Sequence, residues 1–345
     1  MFEDFHGNQR TTRALTRMLE QERIPQTLLL AGPQGVGKAT LARRLAAALI
    51  GDPDKIERDD LSLPHNVSVM EEREKWPSER RAEDPLLFAS QLDFVTFPPD
   101  GPLRQISIQQ MRVLKDRARF RPQRGSRRVF LIDHLDRANE QAANSLLKTL
   151  EEPPDHLILV LTAENAQDLL PTIRSRAVQL HLGPLSPAEM AAFVGPRGLD
   201  QPERRIRLAA GSPGQAISLD LEEYDRRKTA MFALLEAASG ATPFAGWLEH
   251  ADAVGAAREE KLESYLLVLY GLLQDLLAVQ QSSGDVRNPE LADELAGIAH
   301  RVSFQWVRAA VSKVDELVSL LRRNIQKSIA LDALILDLRA SMKIT

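Results

Sequence analysis

The residues best placed to do chemistry lie near the start of the chain, in Gly32-Pro33-Gln34-Gly35-Val36-Gly37-Lys38. An apolar run, "TLLLAG" (27–32), precedes them and a helix-period stretch follows, which is the setting of a phosphate-binding loop. Glycines let the backbone turn tightly and aim N–H groups at phosphate oxygens. Lys38 would reach the β- and γ-phosphates of a nucleotide. Such loops next carry a Ser or Thr whose hydroxyl meets magnesium. Ala39 has no hydroxyl, and Thr40 lies about 100° further around the helix, so it is no direct substitute.

Two further stretches carry candidate chemistry. Val129-Phe130-Leu131-Ile132-Asp133 is an apolar strand ending in a carboxylate suited to magnesium, directly or through water. The next position usually holds a water-polarising Glu, and here it is His134. A histidine can act as a base, but at neutral pH it lacks the carboxylate's charge, and loss of the catalytic group is the simpler reading. Ser175-Arg176 precedes the last apolar run, where an arginine can project into a neighbouring chain's nucleotide site. The spacing alone favours an ordinary surface arginine. The nucleotide-site candidates are therefore Gly32, Gly35, Gly37, Lys38, Thr40 and Asp133, partly vestigial, and Ser175 and Arg176 are candidates for a role in trans only if a family resemblance supplies it.

These groups need a scaffold. Strands are expected at 27–32, 92–97, 128–133, 157–162 and 177–182, with helix-period stretches between them. That alternation predicts an α/β P-loop domain, a parallel sheet with helices on both faces. Ala142, Ala143, Leu146, Leu147 and Leu150 recur at helical spacing, and the helix should stop before Pro153-Pro154. Residues 51–90 are charged and carry scattered prolines, predicting an irregular insert. Ser186, Pro187 and Glu189 form a capping-box helix start. The pattern is helical from there on, interrupted at "GSPGQA" (211–216). The expected domains are 1–183 (α/β), 184–221 (a small helical lid) and 222–345 (an all-α collar or oligomerisation domain).

Composition narrows the classes. The chain has 345 residues, a formal net charge of −4 and no cysteine. Disulfides and thiolate metal sites are excluded. The seven histidines show no helix-face ligand spacing, so no metal is expected. The start, "MFEDFHGNQRTT", has no secretory pattern. The apolar "SYLLVLYGLLQ" (264–274), bounded by Glu263 and Asp275, predicts a buried helix too short to span a bilayer. A cytoplasmic location is expected. Leu262, Leu266, Leu269, Leu273, Leu276 and Leu277 form a broad apolar face that needs partners, some from the domain's own core and the rest from neighbouring chains. The six arginines of "RARFRPQRGSRR" (117–128) fit an exposed connector better than a nucleic-acid contact, because a local charge cluster is weak evidence.

Together these stretches resemble the clamp-loader subunits of bacterial DNA polymerase III, within the AAA+ ATPases. The resemblance rests on "RIPQTLLLAGPQGVGK", "RRVFLIDHLDRANEQAANSLLKTLEEPP", "TIRSRA" and "LLRRNIQKSIALDALIL" (320–336), and it covers most of the chain. "SLLKTLEEPP" and "TIRSR" are the most specific parts. The delta-prime branch is the nearer one. Motor subunits of the family carry the magnesium hydroxyl, the catalytic Glu and a lid arginine near Gly214, and this chain has none of the three. It also shows none of the long C-terminal tail of the longer motor form. Two departures stand out: Ser-Arg-Ala replaces the family's Ser-Arg-Cys, and no cysteine remains for the family's zinc module, so no zinc is expected. The resemblance implies a delta-prime-like stator in a five-subunit ring. Its partners would be motor subunits and a clamp-opening subunit, with the sliding clamp and primed DNA met through the ring, and no membrane. ATP would at most be bound without hydrolysis. The competing reading is a catalytically active motor subunit.

Overall fold

A computed structural model describes residues 2, 4–256, 260–283, 286–320 and 326–342. Residues 321–325 of the "LLRRNIQKSIALDALIL" stretch lie outside the described residues. Two compact units form. The first comprises Met1–Pro202 with Ala209–Ile217, and the second comprises Glu203–Leu208 with Ser218–Thr345.

The first unit opens with α1 (Gln9–Glu20), β1 (Thr27–Ala31) and α2 (Lys38–Ile50). Then come α3 (Pro53–Glu57), α4 (Pro64–Glu74), α5 (Ser78–Glu83), β2 (Phe94–Phe97), α6 (Ile108–Ala118) and β3 (Arg128–Ile132). The unit continues with α7 (Glu140–Glu151), β4 (Leu157–Ala163), α8 (Pro171–Arg174), β5 (Val178–His181) and α9 (Pro187–Val194). Next are α10 (Pro202–Ala209), whose middle belongs to the second unit, and α11 (Pro213–Ser218).

All five expected strands form, in the order β2-β3-β4-β1-β5, and every pairing is parallel. Side chains alternate across a strand, so β1 feeds two cores. Leu29 and Ala31 join one, with Met111 and Leu114 of α6 and Ala142 and Leu146 of α7. Leu28 and Leu30 join the other, with Leu15 of α1 and Leu41 and Leu45 of α2. Helices therefore cover both faces of β1–β4, which is why these four strands are buried throughout, whereas the edge strand β5 is largely exposed. At α9 the capping box forms as its residues predict: Ser186 Oγ accepts from the Glu189 N–H at 3.3 Å, and Glu189 Oε2 accepts from the Ser186 N–H at 2.8 Å.

The 51–90 segment is not irregular, because α3, α4 and α5 form within it. Ionic and amide staples organise it where apolar periodicity is weak. Arg43 Nε donates to Glu57 at 2.7 Å, and Asn66 Nδ2 donates to the Arg58 and Asp60 carbonyls, each at 2.7 Å. Buried Arg73 pairs with Asp100 at 2.8 Å and lies over the Trp76 ring, with Arg80 also over that ring. A periodicity argument cannot see such links.

The second unit contains α12 (Leu221–Ala238), α13 (Ala245–Ala256), α14 (Leu262–Gln280), α15 (Ala292–Ala299), α16 (Phe304–Leu320) and α17 (Lys327–Met342). Two expectations are corrected here. First, the apolar stretch belongs to a helix of 19 residues, long and apolar enough to cross a membrane by length and composition. It is nevertheless the central core helix of this unit, packed with α12, α15 and α16. Asp275 does not bound it: its buried carboxylate accepts from the Arg287 and Asn288 N–H groups and from Asn288 Nδ2 at 2.8–3.1 Å. Second, the leucine face does not await partners. Leu262, Leu266, Leu269, Leu273 and Leu276 are buried in the unit's own core, and Leu277 packs against it.

Candidate nucleotide-binding site

The loop between β1 and α2 is built on close backbone approaches. A Cβ on Gly32 would lie 2.0 Å from the Leu182 carbonyl oxygen, so no other residue fits there. Gly35 and Gly37 take φ values of 75° and 96°, the left-handed region that glycine enters at little cost. Among the described residues, the N–H groups of Val36, Gly37, Lys38 and Ala39 find no protein acceptor. They lie at the N-terminus of α2, where the helix dipole favours an anion. Unused donors around a glycine cradle fit phosphate groups. Gly35, Gly37 and Lys38 are the residues that would hold them, and a bound nucleotide would supply the transferable phosphoryl group.

Lys38 is folded onto the loop itself. Its ammonium donates to the carbonyls of Gly32 at 2.7 Å and Pro33 at 2.8 Å. Burial holds its pKa below the ordinary lysine value, against the opposing pull of Glu164, Asp133 and Asp136. Ala39 packs against the core beneath β1 and offers phosphate nothing. Thr40 is half-buried in the first turn of α2, and among the described residues its hydroxyl makes no hydrogen bond.

Helix α11 seats against this loop. The Gly214 N–H donates to the Gly35 carbonyl at 2.8 Å, and Ser212 Oγ donates to the Gln34 carbonyl at 3.0 Å. A Cβ on Gly214 would lie 3.0 Å from both Cα and O of Gly35. A side chain at 214 would therefore need the Gly35 backbone to give by a few tenths of an ångström.

The carboxylate at the end of β3 is fixed from β4. Asp133 Oδ1 accepts from Thr162 Oγ1 at 2.5 Å, and the same hydroxyl accepts from the His134 N–H at 2.8 Å. His134 sits at φ 55°, ψ 55°, a conformation uncommon for a side-chain-bearing residue. Its Nδ1 lies 3.9 Å from Glu164 Oε1. The structure therefore gathers Lys38 and Asp133 with two carboxylates that the sequence reading did not select, Asp136 and Glu164. Register alone brings Glu164 in: β3 pairs with β4, and Glu164 directly follows β4.

Arg176 and Ser175 stand apart from these groups. Arg176 is exposed, and its guanidinium pairs with Glu151 at 2.9 Å and donates to the Thr172 carbonyl at 2.9 Å. Ser175 Oγ donates to the same carbonyl at 3.1 Å. Of the six-arginine run, Arg128 is buried and structural, donating to the carbonyls of Arg117, Phe120 and Leu92. Arg119, Arg121 and Arg124 are exposed.

A parallel five-stranded sheet in this order, with a phosphate loop after its β1 strand and an aspartate ending β3, defines a P-loop domain of the AAA+ type. The sequence pattern of the family described as "DNA polymerase III, delta subunit" matches residues 7–186, just over half of the chain, and the chain belongs to that clamp-loader family. DNA polymerase III subunit tau of Escherichia coli is 27% identical over 317 residues, covering 85% of this chain and 46% of the relative. Subunit gamma of Buchnera aphidicola is 29% identical over 227 residues, covering 63% and 57%. Subunit tau of Salmonella typhimurium is 32% identical over 181 residues, covering 52% and 25%. The chain thus spans about half the length, or less, of most of these relatives. Among solved structures, a DNA polymerase III gamma subunit-related protein of Thermotoga maritima aligns with 96% of this chain and 99% of its own. Its identity is 18% and its TM-score 0.46.

Proposed function

We propose that this chain is a delta-prime-like stator of the DNA polymerase III clamp loader. In this reading it supports ATP-dependent loading of the sliding clamp onto primed DNA, and its own ATP hydrolysis is lost. The observation that carries the reading is Gly214, which offers no charge and packs so closely on Gly35 that a side chain there would have to displace the phosphate loop. Ala39 and His134 support it, one lacking the magnesium hydroxyl and the other the water-polarising carboxylate. The free N–H cradle would still hold a nucleotide passively.

Arg176 is the residue assigned to act in trans, with Ser175 beside it. Its pair with Glu151 is exposed, and such pairs are worth little, so it is readily released toward a neighbour's nucleotide. An arginine supplied this way contributes roughly 10³–10⁵ in rate. Motor subunits and a clamp-opening subunit would be the direct partners, in the cytoplasm, with clamp and primed DNA met through the assembled ring.

One observation favours the competing reading of an active motor. Glu164 presents a partly exposed carboxylate close enough to influence Lys38, and a carboxylate there is a candidate base. The deciding experiment is ATP hydrolysis by the purified chain with magnesium and primed DNA, beside Lys38→Ala and Glu164→Gln. The stator reading expects no turnover. It also expects that adding the chain to motor subunits raises their rate, and that Arg176→Ala removes the gain. Turnover abolished by both substitutions would establish the motor instead.

A further inference from the structure

Beside the phosphate loop, three side chains converge that no role above uses together. One ligand atom from each of His134, Asp136 and Glu164 lies within 4.8 Å of the other two. His134 Nδ1 and Asp136 Oδ1 are buried atoms without a hydrogen-bond partner. Buried polar atoms are normally satisfied, so two orphans in one three-residue cluster call for a missing partner. A cation satisfies both, since each presents a lone pair and Glu164 adds a third.

The backbone supports the same assignment. His134 is held in the left-handed region by its N–H bond to Thr162 Oγ1, the hydroxyl that also fixes Asp133. The charge points the same way. Asp133, Asp136 and Glu164 all act on one ammonium group, Lys38, which is turned onto the Gly32 and Pro33 carbonyls. Three carboxylates therefore gather within reach of a single lysine.

We infer that His134, Asp136 and Glu164 form a divalent-cation site independent of nucleotide. One imidazole with two carboxylates suits a borderline first-row ion such as Mn²⁺, Co²⁺ or Zn²⁺ better than Mg²⁺, which prefers oxygen alone. Metal–ligand bonds of about 2.0–2.2 Å require ligand atoms within about 4 Å of one another. The His134–Glu164 separation of 3.9 Å already meets this, and from mutual distances within 4.8 Å the remainder closes by side-chain rotation of Asp136 and Glu164. Three protein ligands leave positions open to water or an anionic oxygen.

The test uses the full chain, stripped with chelator and free of nucleotide, titrated with Co²⁺ and followed by its visible d–d absorption. The chain has no cysteine, so thiolate bands cannot intrude. One equivalent should bind. Glu164→Gln, at a partly exposed position, and His134→Ala should each weaken binding at least about tenfold. His65→Ala, at an exposed histidine elsewhere, should leave it unchanged. Circular dichroism confirms that each variant is folded. Failure to bind, or binding that survives both site substitutions, overturns the assignment.

Discussion

Glycine serves opposite ends at different positions of this chain. At Gly214 a methyl group would meet the backbone of Gly35 at 3.0 Å. Gly246 in α13 and Gly297 in α15 have nothing within 4 Å of the same hypothetical methyl. Gly214→Ala should therefore destabilise the first unit by about 1–3 kcal/mol, as overpacking does. Gly246→Ala and Gly297→Ala should each stabilise by up to about 1 kcal/mol through helix propensity. Thermal unfolding of the three variants checks the sign. The phosphate loop itself was legible residue by residue, because its glycines and lysine are contiguous and each has a local reason to be there. Asp136 and Glu164 were not. The former reads as a turn residue, and the latter gains its meaning only when β4 lies beside β3.

Among the elements, the strands were legible and the insert was not, for one reason. A buried strand declares itself by an unbroken apolar run, whereas the insert is organised by charged groups whose partners lie far off in sequence. Asp59, between α3 and α4, is an example. It is buried and accepts the Ser90 N–H at 3.0 Å, 31 residues away. Burial pushes its carboxyl above the usual value of 3.8, and the Ser90 hydrogen bonds and Arg43 only partly oppose this. A raised pKa in the folded chain means a stability contribution that is full below 3.8 and lost as pH rises through the folded value. Asp59→Asn keeps an acceptor for Ser90 without the charge. It should be more stable than the parent at neutral pH, with the difference vanishing below about pH 4. Denaturant titrations at both pH values measure this. The leucine face of α14 teaches the complementary lesson: an amphipathic or all-apolar helix announces that it will be buried, but not by whom.

At the scale of the whole molecule, the two units exchange chain at α10. Glu203–Leu208 belong to the second unit although residues on both sides belong to the first. Arg205 is buried and donates to the Leu219 carbonyl at 2.6 Å, and Arg204 pairs with Asp225. A chain ended after Ile217 keeps α10 but loses both partners. Trypsin should cut that truncated chain rapidly after Arg204, Arg205 or Arg207 while sparing these bonds in the full chain, and mass spectrometry of the fragments reads the sites. Equal protection in both would show that α10 needs nothing from the second unit. The seat of α11 against the phosphate loop carries a further consequence, for order in time. Ser212 and Gln34 are 178 residues apart along the chain. A ribosome making this protein releases the loop early and the helix that seats against it much later. Through most of synthesis, the nascent chain displays a glycine-rich turn without that helix, and the loop reaches its final shape among the last events of folding the first unit.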